Sequence, residues 1–265
     1  MKRFFLFLIV ILSMFMAVTF AWGQEWQESS NVKALFDETK VEGTFILFDV
    51  SADTLIGYDR SRAETRFIPA STFKIPNSLI GLSQKAVKNV DEILPYGGKP
   101  QPVKSWEKDM SLRDAIKISN VPIYQELARR IGIKKMRSGI IKMHYGNGEI
   151  GEVVDTFWLK GPLKISAVEQ ARFLARLALG KLPFSSSVQA EVRDIVKMDQ
   201  GSDWTLFAKT GTAATYSPEL GWWVGWVEKS GRIYAFALNI DMKSSADYGK
   251  RVELGKACLK ALGIL

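Results

Sequence analysis

Ser71-Thr72-Phe73-Lys74 places a hydroxyl and an amine three residues apart. In a helix, side chains at that spacing share one face, about one turn apart. The pair suits nucleophilic catalysis, in which an alcohol attacks after a neighbouring base removes its proton. The chain has one histidine, His144, so a serine–histidine pair has a single candidate and Lys74 is the leading base. A lysine serves as a base only if something lowers its pKa or modifies its amine. Phe73, Ile75 and Pro76 give Lys74 apolar neighbours that favour the neutral amine. Alone, S-x-x-K is a common match, and the same residues also read as a helix cap followed by a surface lysine.

Two further groups have the right residue types. Lys209-Thr210-Gly211 falls at the end of a predicted strand. A lysine and a hydroxyl projecting from an edge strand can bind a carboxylate, and glycine allows close backbone approach. Ser119-Asn120-Val121 precedes Pro122 in a loop between two helical segments. Its serine hydroxyl can relay a proton from Lys74 to a leaving nitrogen, or the segment can cap the helix that begins at Pro122; both can hold.

The elements that must position these groups follow from periodicity. Residues 43–50 and 54–58 read as a hairpin with a turn at 51–53. From Pro69-Ala70 the pattern becomes helical to about Leu82. Pro76 is accepted if that helix begins near Thr72 or Phe73, where the first N–H groups have no partner in any case. Further helices are expected over 111–118, 122–131, 166–179 and 185–196, the third with a Ser166–Glu169 capping box. Strands return at 205–210, 221–227 and 233–240, with a Ser230-Gly231 hairpin turn and a closing helix after about Ala246. Strand alternation puts Trp222 and Trp226 on one face and Trp223 on the other. The result is an α+β fold: one antiparallel sheet built from both ends of the chain, about 43–58 and 205–240, with a helical lobe inserted between. The site is expected between sheet and helices.

The ends and the charge narrow the class. Lys2-Arg3, an apolar run from Phe4 to Phe20 and Ala21-Trp22-Gly23 read as a secretory signal cut before Gln24. That leaves 24–265 as a single domain, periplasmic and not held by a membrane; an uncleaved anchor is the rival reading. Cys258 is the lone cysteine, so no intramolecular disulfide can form, and it is expected buried in the last helix. The formal charge of +8 is spread in pairs such as Arg129-Arg130 and Lys134-Lys135. No stripe of basic and aromatic residues argues for nucleic acid, whereas a modest positive field suits a small anionic substrate. A single histidine without a cysteine or carboxylate cluster argues against a metal. Monomer and homodimer stay open.

The order S-T-F-K, S-x-V, Tyr145-Gly146-Asn147, Phe157-Trp158-Leu159, K-T-G and Gly221-Trp222-Trp223-Val224-Gly225-Trp226 resembles the class D (oxacillinase-type) serine β-lactamases over essentially the whole mature chain. The resemblance implies the fold shared by serine β-lactamases and penicillin-binding transpeptidases, and hydrolysis of penicillin-type β-lactams, hence antibiotic resistance. It implies that Ser71 is acylated. It implies that Lys74 is N-carboxylated by carbon dioxide, with no other cofactor, and that this carbamate is the general base. Trp158 would hold the carbamate through its indole N–H, Ser119 would relay a proton, and Val121 would wall the lysine. Lys209, Thr210 and Arg251 would bind the substrate carboxylate. The backbone N–H groups of Ser71 and Thr212 would form the oxyanion hole, with Gly211 beside them. Tyr145 and Asn147 would shape the pocket, and His144 is read as structural. Carbapenem-hydrolysing relatives with a similar G-W-W-V-G-W region carry an arginine after K-T-G; residues 212–218 have none, so carbapenem turnover is not implied. The alternatives are a β-lactam sensor that stays acylated, or a peptidoglycan transpeptidase or carboxypeptidase sharing S-x-x-K and K-T-G. A sensor follows several membrane spans, and Y-G-N with F-W-L argues against the transpeptidase.

Overall fold

The computed structural model describes residues 26–265, so the expected signal over 1–23 lies outside the described residues. In chain order the first elements are β1 (Trp26–Glu28), α1 (Ser30–Thr39), β2 (Gly43–Asp49), β3 (Thr54–Tyr58) and α2 (Arg60–Glu64). A 3-10 turn, Ala70–Phe73, runs directly into α3 (Lys74–Ser83). The middle of the chain is helical: α4 (Leu112–Lys117), α5 (Val121–Ile131), α6 (Ile133–Met143), α7 (Phe157–Lys160), α8 (Ala167–Ala178) and α9 (Ser186–Ile195). It ends in β4 (Lys197–Gln200), β5 (Trp204–Ala213), β6 (Glu219–Lys229), β7 (Arg232–Met242) and α10 (Asp247–Ala261).

The strands form a seven-stranded sheet in the order β1-β3-β2-β7-β6-β5-β4. Its centre joins the two ends of the chain, with Gly43 opposite Ile240 and Asp49 opposite Tyr234. Two sequence expectations need correction. The sheet is mixed, because β1 runs parallel to β3 at one edge. After β1 the chain passes through α1 and β2, and the hairpin brings β3 back beside β1 in the same direction, which no local pattern announces. Second, β5 is not the edge strand, because β4 lies outside it. However, β4 pairs only with Thr205–Phe207, so the K-T-G segment lies beyond its cover.

Local sequence explains most boundaries. Both turn residues Ser230 and Gly231 have positive φ, 48° and 77°, as a tight hairpin between right-twisted strands requires. The Ser166 hydroxyl accepts from Glu169 N at 3.2 Å while Glu169 reaches back to Ser166 N at 2.9 Å, the expected capping box. Pro76 is the third residue of α3, where it removes no intrahelical bond.

Two apolar layers sandwich the sheet. Between sheet and helical lobe lie Ile46, Phe73, Tyr124, Trp158, Phe173, Trp222 and Trp226. On the opposite face, α1 and α10 cover Phe45, Leu47, Trp223, Phe236 and Cys258. The tryptophans therefore alternate across the sheet as the strand period dictates. A Cβ on Gly255 would come 2.1 Å from the Trp223 ring, so α10 lies directly on that indole.

Candidate active site

The Ala70–Phe73 turn presents Ser71. Ala70 has φ +50°, a left-handed conformation that costs a residue with a Cβ and persists only where its surroundings enforce it. Enforcement is visible. Thr72 Oγ1 donates to Pro69 O at 2.7 Å, and Gln170 Nε2 on α8 donates to Thr72 Oγ1 at 2.8 Å. On the other side of Pro69, Trp222 Nε1 donates to Ile68 O at 2.9 Å and Ile68 N donates to Tyr216 Oη at 3.1 Å. The turn is thus tied to both sheet and lobe.

Lys74 is fully buried, with its Nζ 2.9 Å from Ser71 Oγ and 5.3 Å from the centre of the Tyr124 ring. Burial pushes the amine well below its ordinary value, and the nearby charge of Lys209 adds to the effect. The neutral amine that the apolar flanks predicted is what the fold favours. Tyr124, Thr72, Gln170 and Tyr216 were not singled out from sequence. Thr72 lies in the turn itself, whereas Tyr124, Gln170 and Tyr216 come from distant elements, and Tyr124 reads as one more apolar position of α5.

Lys209, also buried, donates from Nζ to Ser119 Oγ at 3.0 Å and to Thr210 O at 2.9 Å. Burial, helped by the Arg251 charge, lowers its pKa to about 7. A Cβ on Gly211 would lie 3.1 Å from Pro69 O and 3.3 Å from Ser71 N, so the bare backbone of β5 abuts the nucleophile turn. Arg251, from α10, donates through Nη1 to Gly211 O at 2.6 Å and Thr212 Oγ1 at 2.7 Å. Its Nε is buried without a partner.

Ser119 has φ +58°. Asn120, not Ser119, caps α5, accepting from Ile123 N at 3.0 Å and donating from Nδ2 to Trp106 O at 3.2 Å. This division leaves the Ser119 hydroxyl turned to Lys209. Val121, the first residue of α5, is half-buried.

Trp158 is fully buried, stacks on Phe73 with ring centres 5.5 Å apart, and has an indole N–H with no partner. Such an orphaned donor in a protein interior calls for an acceptor. Tyr145 packs edge-on to Phe73 and Phe173, and burial raises its hydroxyl pKa. Asn147 Oδ1 accepts from Lys164 N at 3.0 Å, its Nδ2 donates to Pro162 O at 3.1 Å, and a Cβ on Gly146 would strike Lys164 O. Tyr-Gly-Asn is thus a clasp between two loops. His144 ends α6 in the left-handed region, at φ 50°.

The geometry therefore gathers Ser71, Lys74, Ser119, Lys209, Thr210, Gly211, Thr212 and Arg251 around one turn and packs Trp158 and Tyr145 against its Phe73, while Asn147 binds the backbone at 162 and 164.

Comparison with known proteins agrees. Residues 28–260 match the model of the penicillin-binding protein transpeptidase domain. The chain is 38% identical to the β-lactamase OXA-5 of Pseudomonas aeruginosa, covering 92% of this chain and 89% of that one. It is 39% identical to OXA-48 of Klebsiella pneumoniae, covering 91% of each. The crystal structure of FUS-1 (OXA-85), a class D β-lactamase from Fusobacterium nucleatum subsp. polymorphum, superposes with a TM-score of 0.87 at 44% identity, over 90% of this chain and 100% of that one. Likeness of this degree, sustained over nearly the whole length of both partners, shows that the protein belongs to the class D β-lactamase family.

Proposed function

We propose that this class D β-lactamase hydrolyses penicillin-type β-lactams through an acyl-enzyme on Ser71. The observation that carries the reading is the 2.9 Å approach of the buried Lys74 amine to Ser71 Oγ, opposite a strand rich in anion-binding groups. A base at Lys74 takes the Ser71 proton as Oγ attacks the lactam carbonyl. The ring C–N bond breaks, its electron pair passes to nitrogen, and that nitrogen receives a proton through Ser119. The N–H groups of Ser71 and Thr212 stabilise the oxyanion. Lys209, Thr210 and Arg251 hold the ring carboxylate. Water then cleaves the ester and restores Ser71.

Support for N-carboxylation of Lys74 comes from two features: burial keeps the amine neutral, as reaction with carbon dioxide requires, and the Trp158 N–H lacks an acceptor. The carbamate would supply an anionic oxygen base, held by Trp158. Residues 1–23 are proposed to export the enzyme to the periplasm, leaving 24–265 as one domain acting on a small β-lactam. A purified chain showing steady penicillin turnover supports the hydrolase; one stoichiometric burst supports the acylated sensor instead. With 13C-labelled bicarbonate, a carbamate carbon signal that disappears in Lys74→Ala tests carboxylation, and the amino terminus of the periplasmic protein should be Gln24.

A further inference from the structure

Thr72, Gln170 and Tyr145, all buried behind the nucleophile turn, form one chain of hydrogen bonds with a fixed direction. Pro69 O can only accept, and it takes Thr72 N at 3.2 Å and Thr72 Oγ1 at 2.7 Å. Having given its single proton, Thr72 Oγ1 accepts from the Gln170 amide nitrogen at 2.8 Å. That sets the orientation of the amide, whose oxygen accepts from the Tyr145 hydroxyl at 3.4 Å. Burial raises the pKa of Tyr145, so the phenol keeps its proton and stays a donor at neutral pH. The chain therefore runs from the Tyr-Gly-Asn clasp through α8 to Pro69 O.

Its end point bears on the reaction, given the hydrolase reading on which this inference rests. Pro69 O belongs to the peptide before Ala70, and Ser71 N to the peptide after it. Ala70 has φ +50°. Relaxing it toward an ordinary φ would swing either Pro69 O away from Thr72 or Ser71 N away from the oxyanion. The origin of the chain is equally fixed. Gln170 follows Glu169, whose carboxylate closes the capping box of α8 and binds Arg66 through two nitrogens.

We propose that Gln170 is a positioning residue for the reaction: through Thr72 and Pro69 O it holds the Ser71 N–H where the oxyanion forms, and Tyr145 orients its amide rather than acting as a base. Neither Gln170 nor Tyr145 touches the reacting atoms. An oxyanion donor favours the transition state over the bound substrate, so loss of the chain should appear in kcat and not in KM.

The test reads benzylpenicillin turnover per folded molecule. Gln170→Met keeps the volume and removes both bonds; it is expected to lower kcat about tenfold with KM within about twofold, because misplacing a donor costs less than losing it. Thr72→Val breaks the same chain one link nearer the turn and should cost as much, whereas Thr72→Ser keeps the hydroxyl and should recover most of that loss. These two variants carry the test if Gln170→Met misfolds. The double variant Gln170→Met with Thr72→Val should fall little below either single one, since both cut one chain. Tyr145→Phe should lower kcat by no more than about threefold and leave the pH profile in place. The inference is overturned if the variants lower the melting temperature but keep kcat, if the two losses multiply in the double variant, or if Tyr145→Phe shifts the pH profile. Absence of penicillin turnover by the unaltered chain would sink the hydrolase reading and this inference with it; normal turnover there, with kcat unchanged in the variants, sinks the inference alone.

Discussion

The two faces of the sheet are built differently. Toward α1 and α10 the core is Phe36, Phe45, Trp223, Phe236, Leu254 and Cys258, a nearly continuous apolar layer. Toward the helical lobe the interior also holds Thr72, Lys74, Asn77, Ser78, Asn120, Gln170 and Lys209, all buried. Two non-glycine residues with positive φ, Ala70 and Ser119, flank the groups that react. Burying polar groups and holding strained backbone both cost stability. One face therefore stabilises the molecule, and the other spends part of that stability on a neutral lysine beside a serine.

Substitutions can break this contrast, beginning with the largest effect. Ser71→Ala should lower penicillin turnover by about 10⁴-fold or more, as loss of a nucleophile does in other serine hydrolases, with an unchanged melting temperature; measurable burst acylation in this variant would refute Ser71 as nucleophile. On the opposite face, Trp223→Ala should cost about 3–5 kcal/mol in urea unfolding, while any folded fraction keeps its kcat/KM. A comparable loss of turnover per folded molecule would show that the faces are not separable. Arg251→Ala should raise KM for penicillin on the order of tenfold to a hundredfold, more than it lowers kcat.

Acidity gives smaller, graded effects. Protonating Lys74 removes the amine that reacts with carbon dioxide, so turnover should fall on acidification and recover partly with added bicarbonate; a flat profile down to about pH 5 would contradict this. For stability the sign is the same as for a paired carboxylate, because a folded-state pKa below the unfolded one leaves the unfolded chain with more bound protons, but the window lies at higher pH. Lys209 is neutral above about 7 in the folded chain, while its unfolded form holds a proton up to about 10.5. Stability should therefore rise with pH across that window, and Lys209→Met should flatten the rise. Lys74→Met, assayed without carbon dioxide, should abolish turnover yet raise the melting temperature by a few degrees.

The sequence disclosed what is local or ordered along the chain. Hairpin turns, the Ser166–Glu169 box and tryptophan alternation depend on near neighbours, and the catalytic motifs are recognisable by type and order. What it hid depends on distant contacts. Ala70 has no residue type that announces a left-handed turn; its conformation comes with bonds from Gln170, Trp222 and Tyr216 on either side. Tyr124 looks like core until α5 is laid across α3. The parallel pairing of β1 with β3 depends on where α1 docks, although Val32 and Phe36, four apart and both buried, do carry the helical signal of α1.

The central pairing of β2 with β7 has a consequence in time. Contacts between segments so far apart in the chain carry a high loop-closure cost and slow folding. A growing or translocating chain has Ser71 and Lys74 long before β5 and α10 supply Lys209 and Arg251. Assembly of the reactive centre must await the last strands, so the enzyme stays catalytically silent until its carboxyl-terminal end has docked, and loss of β7 and α10 to proteolysis should disarm it at once.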